Sequence, residues 1–526
     1  MKIILYNANI ITMKDKSIKQ AVCYESGKIL KVGNNEEILN LKDNKTNVID
    51  MKGKTILPGF IDPHSHFTAV ANGMLQVDLE NCRNFKEIEK KIKEYIKENN
   101  IKNGEWVIAK GYDNNVLEEL EHPKLDFLDT FTKDYPVVLQ HKSGHVGVFN
   151  SKALKILNID ENTESPQGGV IEKVNGKLTG YMEENAFVNY LKKVPMPSIE
   201  KILNSYQKAQ KEYLSYGITT VQEGYMSKEL INLYEALLSS NILKIDLIGY
   251  PDLESIEKYK EKFRKSYKKY DRNFKILGIK MILDGSPQGR TAWMKEPYLG
   301  EKEYKGYPSM KYEDVLKNIE YAKENKIQIL AHCNGDAAAE EYIKALDEIK
   351  DVSKIRPVII HAQLIDKKEI RSAKKLGLIP SFFVAHVYYW GDTHIKNFGI
   401  ERASKISPLK SAIDEELIYT IHQDSPIIKP NMLESIWCAV KRETKNKVVL
   451  GKDEKITVYE ALKGVTINAA YQYFEENIKG SIEENKNADF VILDKNPLEV
   501  NVDEILNIKV LETIKDGITL YKNNDL

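Results

Sequence analysis

Pro58-Gly59-Phe60-Ile61-Asp62-Pro63-His64-Ser65-His66 sets two histidines two positions apart at the end of an apolar run. Side chains on a strand alternate between faces, so residues i and i+2 point the same way. Two imidazoles at the mouth of one strand can share a metal ion. Two surface histidines in a polar loop would give the same short motif. The rest of the chain decides between these readings.

Downstream, apolar strand segments alternate with helical ones, which implies βα units and a parallel sheet. Eight strand candidates are found: 55–62, 217–223, 244–250, 278–283, 328–332, 357–363, 378–384 and 417–422. Helical patterns lie between most of them, as at 198–216, 312–325 and 337–349. Eight such units predict a (β/α)8 TIM-like barrel. The distance from the first strand to the second exceeds a simple crossover. Residues from about 75 to 195 are therefore expected to form a large insertion, with a helix at 85–99, a strand at 136–141 and a Gly-rich turn region at 168–176. Insertions after a barrel strand tend to cover the catalytic face. Both ends of the chain read as short strands and turns. Residues 1–56 and 475–526 are expected to pair as one small composite β-sandwich domain flanking the barrel at 57–474.

The 526 residues carry 77 basic and 77 acidic side chains, which argues against nucleic acid or a membrane surface as the main partner. Four scattered cysteines without a CxxC pair read as reduced thiols, and the early polar residues do not resemble a signal peptide. No apolar run reaches spanning length, so a cytoplasmic enzyme with a small-molecule substrate is expected, with a homodimer as the base-rate oligomer.

Further chemistry sits at the predicted strand ends, which converge on one rim of a barrel. His64 and His66 end the first strand, His332 the fifth and His361 the sixth; Asp424 follows the eighth. Lys280 lies inside the fourth strand, among apolar residues where a charged amine is costly. Two readings are open for it. It pairs with a neighbour such as Asp284 or faces outward between helices, or it reacts as a neutral amine with CO2 to give a carbamate that bridges two cations.

Nine segments together resemble the amidohydrolase superfamily, within it the branch called amidohydrolase family 3. They are 58–66, HKSGHVGVFNSKAL at 141–154, GYMEENA at 180–186, GITTVQEG at 217–224, GIKMILDGSPQGRTA at 278–292, LAHCNGDAA at 330–338, VIIHAQ at 358–363, IHQDSPIIKPNML at 421–433 and KGSIEENKNADFVILDKNPL at 479–498. The resemblance implies metal ligation by His64, His66, carbamylated Lys280, His332, His361 and Asp424. It implies a metal-dependent hydrolase of a C–N bond, most readily an amide. Two divalent metals, zinc first with manganese or iron as alternatives, would supply a hydroxide nucleophile, and Asp424 would act as general acid and base. His145 matches a family histidine that faces substrate, Glu184 an acidic position, and Arg290 offers a fork for a carboxylate or carbonyl. Arg290 could equally bridge to an acidic side chain. Asp336 is expected to cap a helix. His386 and His394 flank Tyr388-Tyr389-Trp390, read either as a wall over the site or as a packed loop. Two departures stand out: Gln423, with His422 beside it, replaces a serine found in many relatives, and Asn485-Lys486-Asn487 replaces a Gly-Lys turn. Two alternative functions remain. One is a mononuclear deaminase-type or cyclic-amidase hydrolase on the same fold; the other is a non-catalytic binding homologue.

Overall fold

The computed structural model describes residues 1–523. Contacts divide them into two compact units, 1–68 together with 209 onward, and 69–208.

The first unit holds the parallel strands. We number them β1 (Phe60–Ile61), β2 (Ile218–Met226), β3 (Asp246–Pro251), β4 (Phe274–Ile276 continuing as Gly278–Ile282), β5 (Gln328–Cys333), β6 (Val358–His361), β7 (Ile379–Phe382) and β8 (Thr420–Ile421). Each pairs with its neighbours in sequence, β1 to the first half of β4 in one sheet and the second half of β4 to β8 in another. Leu277, at the break in β4, bonds to both sides: its N–H donates to the Gly249 carbonyl (3.2 Å), and its carbonyl accepts from Gln328 N–H (3.3 Å). At the other end, Asp424 N–H donates to the His64 carbonyl (3.2 Å) and His66 N–H to the Ser425 carbonyl (2.8 Å). The order is that of a (β/α)8 barrel, with the strands buried on both faces as parallel sheets require.

Helices follow from their own patterns. Tyr312–Asn325 buries Val315, Ile319 and Ala322, one stripe at helical spacing. Lys367–Leu376 starts at Asp366 in a capping box with Glu369 and stops at Gly377 in the left-handed conformation. Asp336 is not a cap. Gly335 holds that position, and the Asp336 carboxylate accepts from Lys295 N–H (2.8 Å) and Ala337 N–H (3.1 Å).

The expected first strand, 55–62, is two strands. Thr55–Pro58 joins a six-stranded sheet with Asn9–Ile11, Ile18–Lys19, Phe490–Leu493, Val510–Lys515 and Ile518–Lys522, and only Phe60–Ile61 enters the barrel. Gly59 makes the transfer possible: a Cβ there would lie 2.6 Å from the Thr219 side chain. A four-stranded sheet of Lys28–Gly33, Ala21–Glu25, Ile3–Tyr6 and Asn47–Asp50 packs against the six-stranded one through a core that includes Ile10, Val22, Ile56, Phe490, Ile492 and Ile514. The result is a β-sandwich built from both ends of the chain.

A buried charge cluster joins this sandwich to the N-terminal ends of β3 and β4. Lys479 bonds Asp246 and lies 3.1 Å from Glu475; Lys515 lies 3.0 Å from Asp246 and 3.6 Å from Asp489; Lys275 bonds Glu475. All six are at most 5% exposed. Burial opposes ionisation of Asp246, but Lys479 and Lys515 hold its carboxyl below the usual carboxylate range.

In the second unit, a six-stranded sheet runs Gly169–Val174, Lys177–Glu183, Val146–Phe149, Val137–His141, Val107–Tyr112 and Val77–Asp78. Helix Phe85–Glu98, capped by Asn84, packs Ile88 and Ile92 onto it. The region at 168–176, expected as a turn, is largely the first strand of a hairpin, turning at Asn175-Gly176.

Removing one member of a buried charge network strands the others. Asp246→Asn is expected to cost about 3–5 kcal/mol in urea unfolding. Because the Asp246 pKa is depressed on folding, its contribution is present above the unfolded value and is lost as pH falls toward the folded one. The gap between wild type and variant should therefore narrow below about pH 4.

Candidate metal centre

Strand ends bring the predicted histidines into one cluster. Ring centroids of His64 lie 5.1 Å from His66 and 5.7 Å from His361, and His332 lies 4.6 Å from His361. Asp424 joins them. Its Oδ1 is 3.4 Å from both His64 Nε2 and His66 Nε2, and its Oδ2 is 4.0 Å from His361 Nε2. One donor atom each from His64, His361 and Asp424 fall within 4.8 Å of one another, close enough to hold a single ion.

Burial dictates the charge of these rings. His64 and His361 are shifted well below the ordinary histidine range, first by burial and then by neighbouring cations and imidazoles. They are neutral near pH 7, the form that ligates metal.

Hydrogen bonds dictate which nitrogen is bare. His64 Nδ1 lies 2.6 Å from Gln222 Oε1. The Gln222 amide is oriented by donating through Nε2 to the Pro63 carbonyl (2.7 Å) and Tyr473 Oη (3.0 Å), so its oxygen must accept from His64. Nδ1 carries the proton and Nε2 faces Asp424 with a lone pair. Gly224 leaves room for this ring, since a Cβ there would lie 2.5 Å from His64 Cε1. His332 is oriented by Asp284, whose Oδ1 is 3.2 Å from Nδ1. Asp284 is itself fixed by the backbone N–H groups of Trp293 (3.1 Å), Asn334 (2.9 Å) and Gly335 (2.7 Å). His361 Nδ1 meets His422 Nε2 at 3.2 Å, and His422 Nδ1 meets Ser381 Oγ at 2.8 Å.

Asp284 therefore serves His332 and does not pair with Lys280. Lys280 is 3% exposed, and among the described residues its Nζ has no hydrogen-bond partner. Burial lowers its pKa to about 7, against the opposing pull of Asp424. Asp424 Oδ1 is a second buried polar atom without a hydrogen-bond partner. This carboxylate oxygen faces the bare Nε2 of His64, and the two are acceptors lacking a donor between them. Neutral imidazoles and a carboxylate are a ligand set for a divalent cation, and one would satisfy these atoms.

The other candidates hold different partners. In the second unit, His145 Nδ1 lies 2.9 Å from Glu184 Oε2, both exposed. Arg290 Nη2 donates to Glu301 Oε1 (3.0 Å), the bridge to an acidic side chain that its sequence left open. His386 and His394 are buried on helix His386–Phe398, stacked with Nδ1 and Nε2 3.1 Å apart, so Tyr388-Tyr389-Trp390 is helical and not a loop. Gln222 and Ser381 escaped the sequence reading because nothing local marks them: Gln222 lies 158 positions from the histidine it orients, and Ser381 lies 41 from His422.

Comparison with known proteins gives these contacts a family. The amidohydrolase family model matches residues 47–521. The N-substituted formamide deformylase of Arthrobacter pascens is 25% identical over 544 aligned residues, covering 99% of this chain and 98% of that protein. The Protein LONG AFTER FAR-RED 3 of Arabidopsis thaliana is 27% identical, covering 99% and 91%. A solved structure of an uncharacterized metal-dependent hydrolase from Pyrococcus furiosus superposes with a TM-score of 0.76 at 24% identity, covering 95% of this chain and 100% of that one. No helix among the described residues is long and apolar enough to cross a membrane. With a match across nearly its whole length, the chain belongs to the amidohydrolase family and is a hydrolase of carbon–nitrogen bonds.

Proposed function

We propose that the protein hydrolyses an amide at a centre where His64, His66, Lys280, His332, His361 and Asp424 hold two divalent cations, zinc being the first to test. The observation that carries this reading is the pair of buried atoms without hydrogen-bond partners, Lys280 Nζ and Asp424 Oδ1, beside imidazoles whose protons are drawn to the far side. When bound there, such ions polarise a carbonyl and lower the pKa of water.

The chain's own residues supply the rest. A Lys280 pKa of about 7 leaves much of the amine neutral at neutral pH, the form that can add CO2 and become a carbamate. The carbamate would turn one buried cationic site into an anion with two oxygens. Asp424 Oδ1, free of donors, can take a proton from water and return it to the leaving nitrogen. His145 and Arg290 remain our candidates for positioning substrate; each would have to exchange its present partner, Glu184 or Glu301, for a substrate group. N-substituted formamides are the first substrate class to try, after the printed activity of the Arthrobacter relative.

A second reading has one observation in its favour. The tightest donor set is three residues, His64, His361 and Asp424, which suits a single cation as in a mononuclear deaminase-type enzyme. Metal analysis of active protein distinguishes them: close to two ions per chain supports the paired centre, close to one the mononuclear.

Lys280→Ala is expected to lose at least one equivalent of metal and to be inactive by initial-rate assay; full activity would refute the bridge. Asp424→Asn is expected to lower kcat about 10²–10⁴-fold if proton transfer is its role. Metal-stripped protein given metal and bicarbonate should recover activity faster at pH 8 than at pH 6. The neutral fraction of an amine grows as pH rises through its pKa, here about 7.

A further inference from the structure

His64 and His332 each give their Nδ1 proton to an oxygen that can only accept, from Gln222 and Asp284. His361 is different. Its Nδ1 faces another imidazole, His422 Nε2 at 3.2 Å, and His422 Nδ1 faces the Ser381 hydroxyl at 2.8 Å. Ser381 and His422 are fully buried. Phe383 lies beside both rings, 6.0 Å from His361 and 5.4 Å from His422 between centroids.

A neutral imidazole has one N–H and one lone pair, and a hydroxyl can donate or accept. The chain Ser381–His422–His361 therefore has two internally bonded arrangements. In one, both rings carry the proton on Nδ1: His361 donates to His422, His422 donates to Ser381, and His361 Nε2 is bare. In the other, Ser381 donates to His422, His422 donates to His361, and His361 carries Nε2–H toward Asp424, which excludes a cation. Changing one ring alone would set two N–H groups or two lone pairs against each other at 3.2 Å. The two rings therefore change together.

Building on the metal-centre reading above, we infer that His422 is a positioning residue for His361: its Nε2 lone pair accepts the His361 Nδ1 proton and keeps His361 Nε2 open to a cation. His422 touches no reacting atom in this role and acts through the ligand it orients. Partners of this kind contribute about 10–100-fold to metal affinity.

The test is zinc affinity of the full-length protein by chelator competition, for wild type, His422→Met and His422→Gln. Methionine keeps bulk and removes the acceptor. Glutamine restores it, its amide oxygen taking the His361 proton and its NH2 reaching Ser381. The expected result is about 10–100-fold weaker binding for His422→Met and affinity near wild type for His422→Gln. Wild-type affinity in His422→Met, or equal weakening in both variants, overturns the inference while leaving the metal centre standing. A wild-type protein that takes up no zinc overturns both. If a variant does not fold, the zinc-loaded wild-type crystal structure decides: zinc on His361 Nε2, with Nδ1 still against His422, supports the assignment, and zinc on Nδ1 refutes it.

Discussion

Five imidazoles, from His64, His66, His332, His361 and His422, stand around one carboxylate, and the packing of these rings is tolerable only if the buried ones are uncharged. Burial supplies that condition directly: His422 is held at a pKa of about 3 by desolvation, and His64 and His361 are pushed in the same direction. Neutrality alone does not make ligands, because a neutral imidazole can present either a proton or a lone pair. Gln222 and Asp284 settle that for His64 and His332. The first has its amide fixed by Pro63 and Tyr473, the second its carboxylate by three backbone N–H groups. The orientation of these two rings is therefore set two hydrogen bonds away, at the Pro63 carbonyl and Tyr473 hydroxyl for His64 and at the backbone N–H groups of Trp293, Asn334 and Gly335 for His332.

At the opposite end of the strands lies a second buried set of charges, organised on another principle. Lys275, Lys479 and Lys515 are matched by Asp246, Glu475 and Asp489, and the pairs share partners. Here the groups are charged because each buried cation has a carboxylate within reach; at the metal centre Lys280 has none within hydrogen-bonding distance and its pKa falls to about 7. The same residue type in two buried places thus carries different chemistry. The contrast is what makes Lys280 informative: among the described residues, every other buried lysine has a carboxylate partner.

Much of this was legible before any coordinates. Apolar runs located the parallel strands, and the position of His332 and His361 at strand ends followed from counting along Gln328–Cys333 and Val358–His361. Other features were not legible, for physical reasons. The run 55–62 is continuously apolar, so periodicity cannot show that its first half pairs with Phe490–Leu493 and its second half with β2. The strand Gly169–Val174 is mostly exposed, and Gly168-Gly169 and Asn175-Gly176 at its ends give the stretch the composition of a turn. Asp336 has a capping residue's side chain but sits one position inside the helix. The partners of the histidine Nδ1 atoms depend on which strands lie side by side, and residues such as Gln222 and Ser381 look ordinary until they do.

Backbone conformation adds a last constraint on the site. His361, Ala362 and Asp424 have φ of +73°, +46° and +56°, a region that side-chain-bearing residues adopt at a cost of about 1–3 kcal/mol each. Such conformations persist where the surroundings over-determine them. Ala362 N–H donates to the Cys333 carbonyl (3.1 Å), Asp424 N–H to the His64 carbonyl (3.2 Å), and the Asp424 carbonyl accepts from Ile427 N–H (2.9 Å). Each of the first two bonds ties a strained residue to a strand end that bears another side chain of the cluster: Cys333 follows His332, and His64 belongs to it. The turn that strains Asp424 is thus the turn that sets its carboxylate against His64 and His66. Convergence of these side chains is built during folding, by the same backbone bonds that join neighbouring strand ends, so the cluster needs no further rearrangement to bring its imidazoles and carboxylate together.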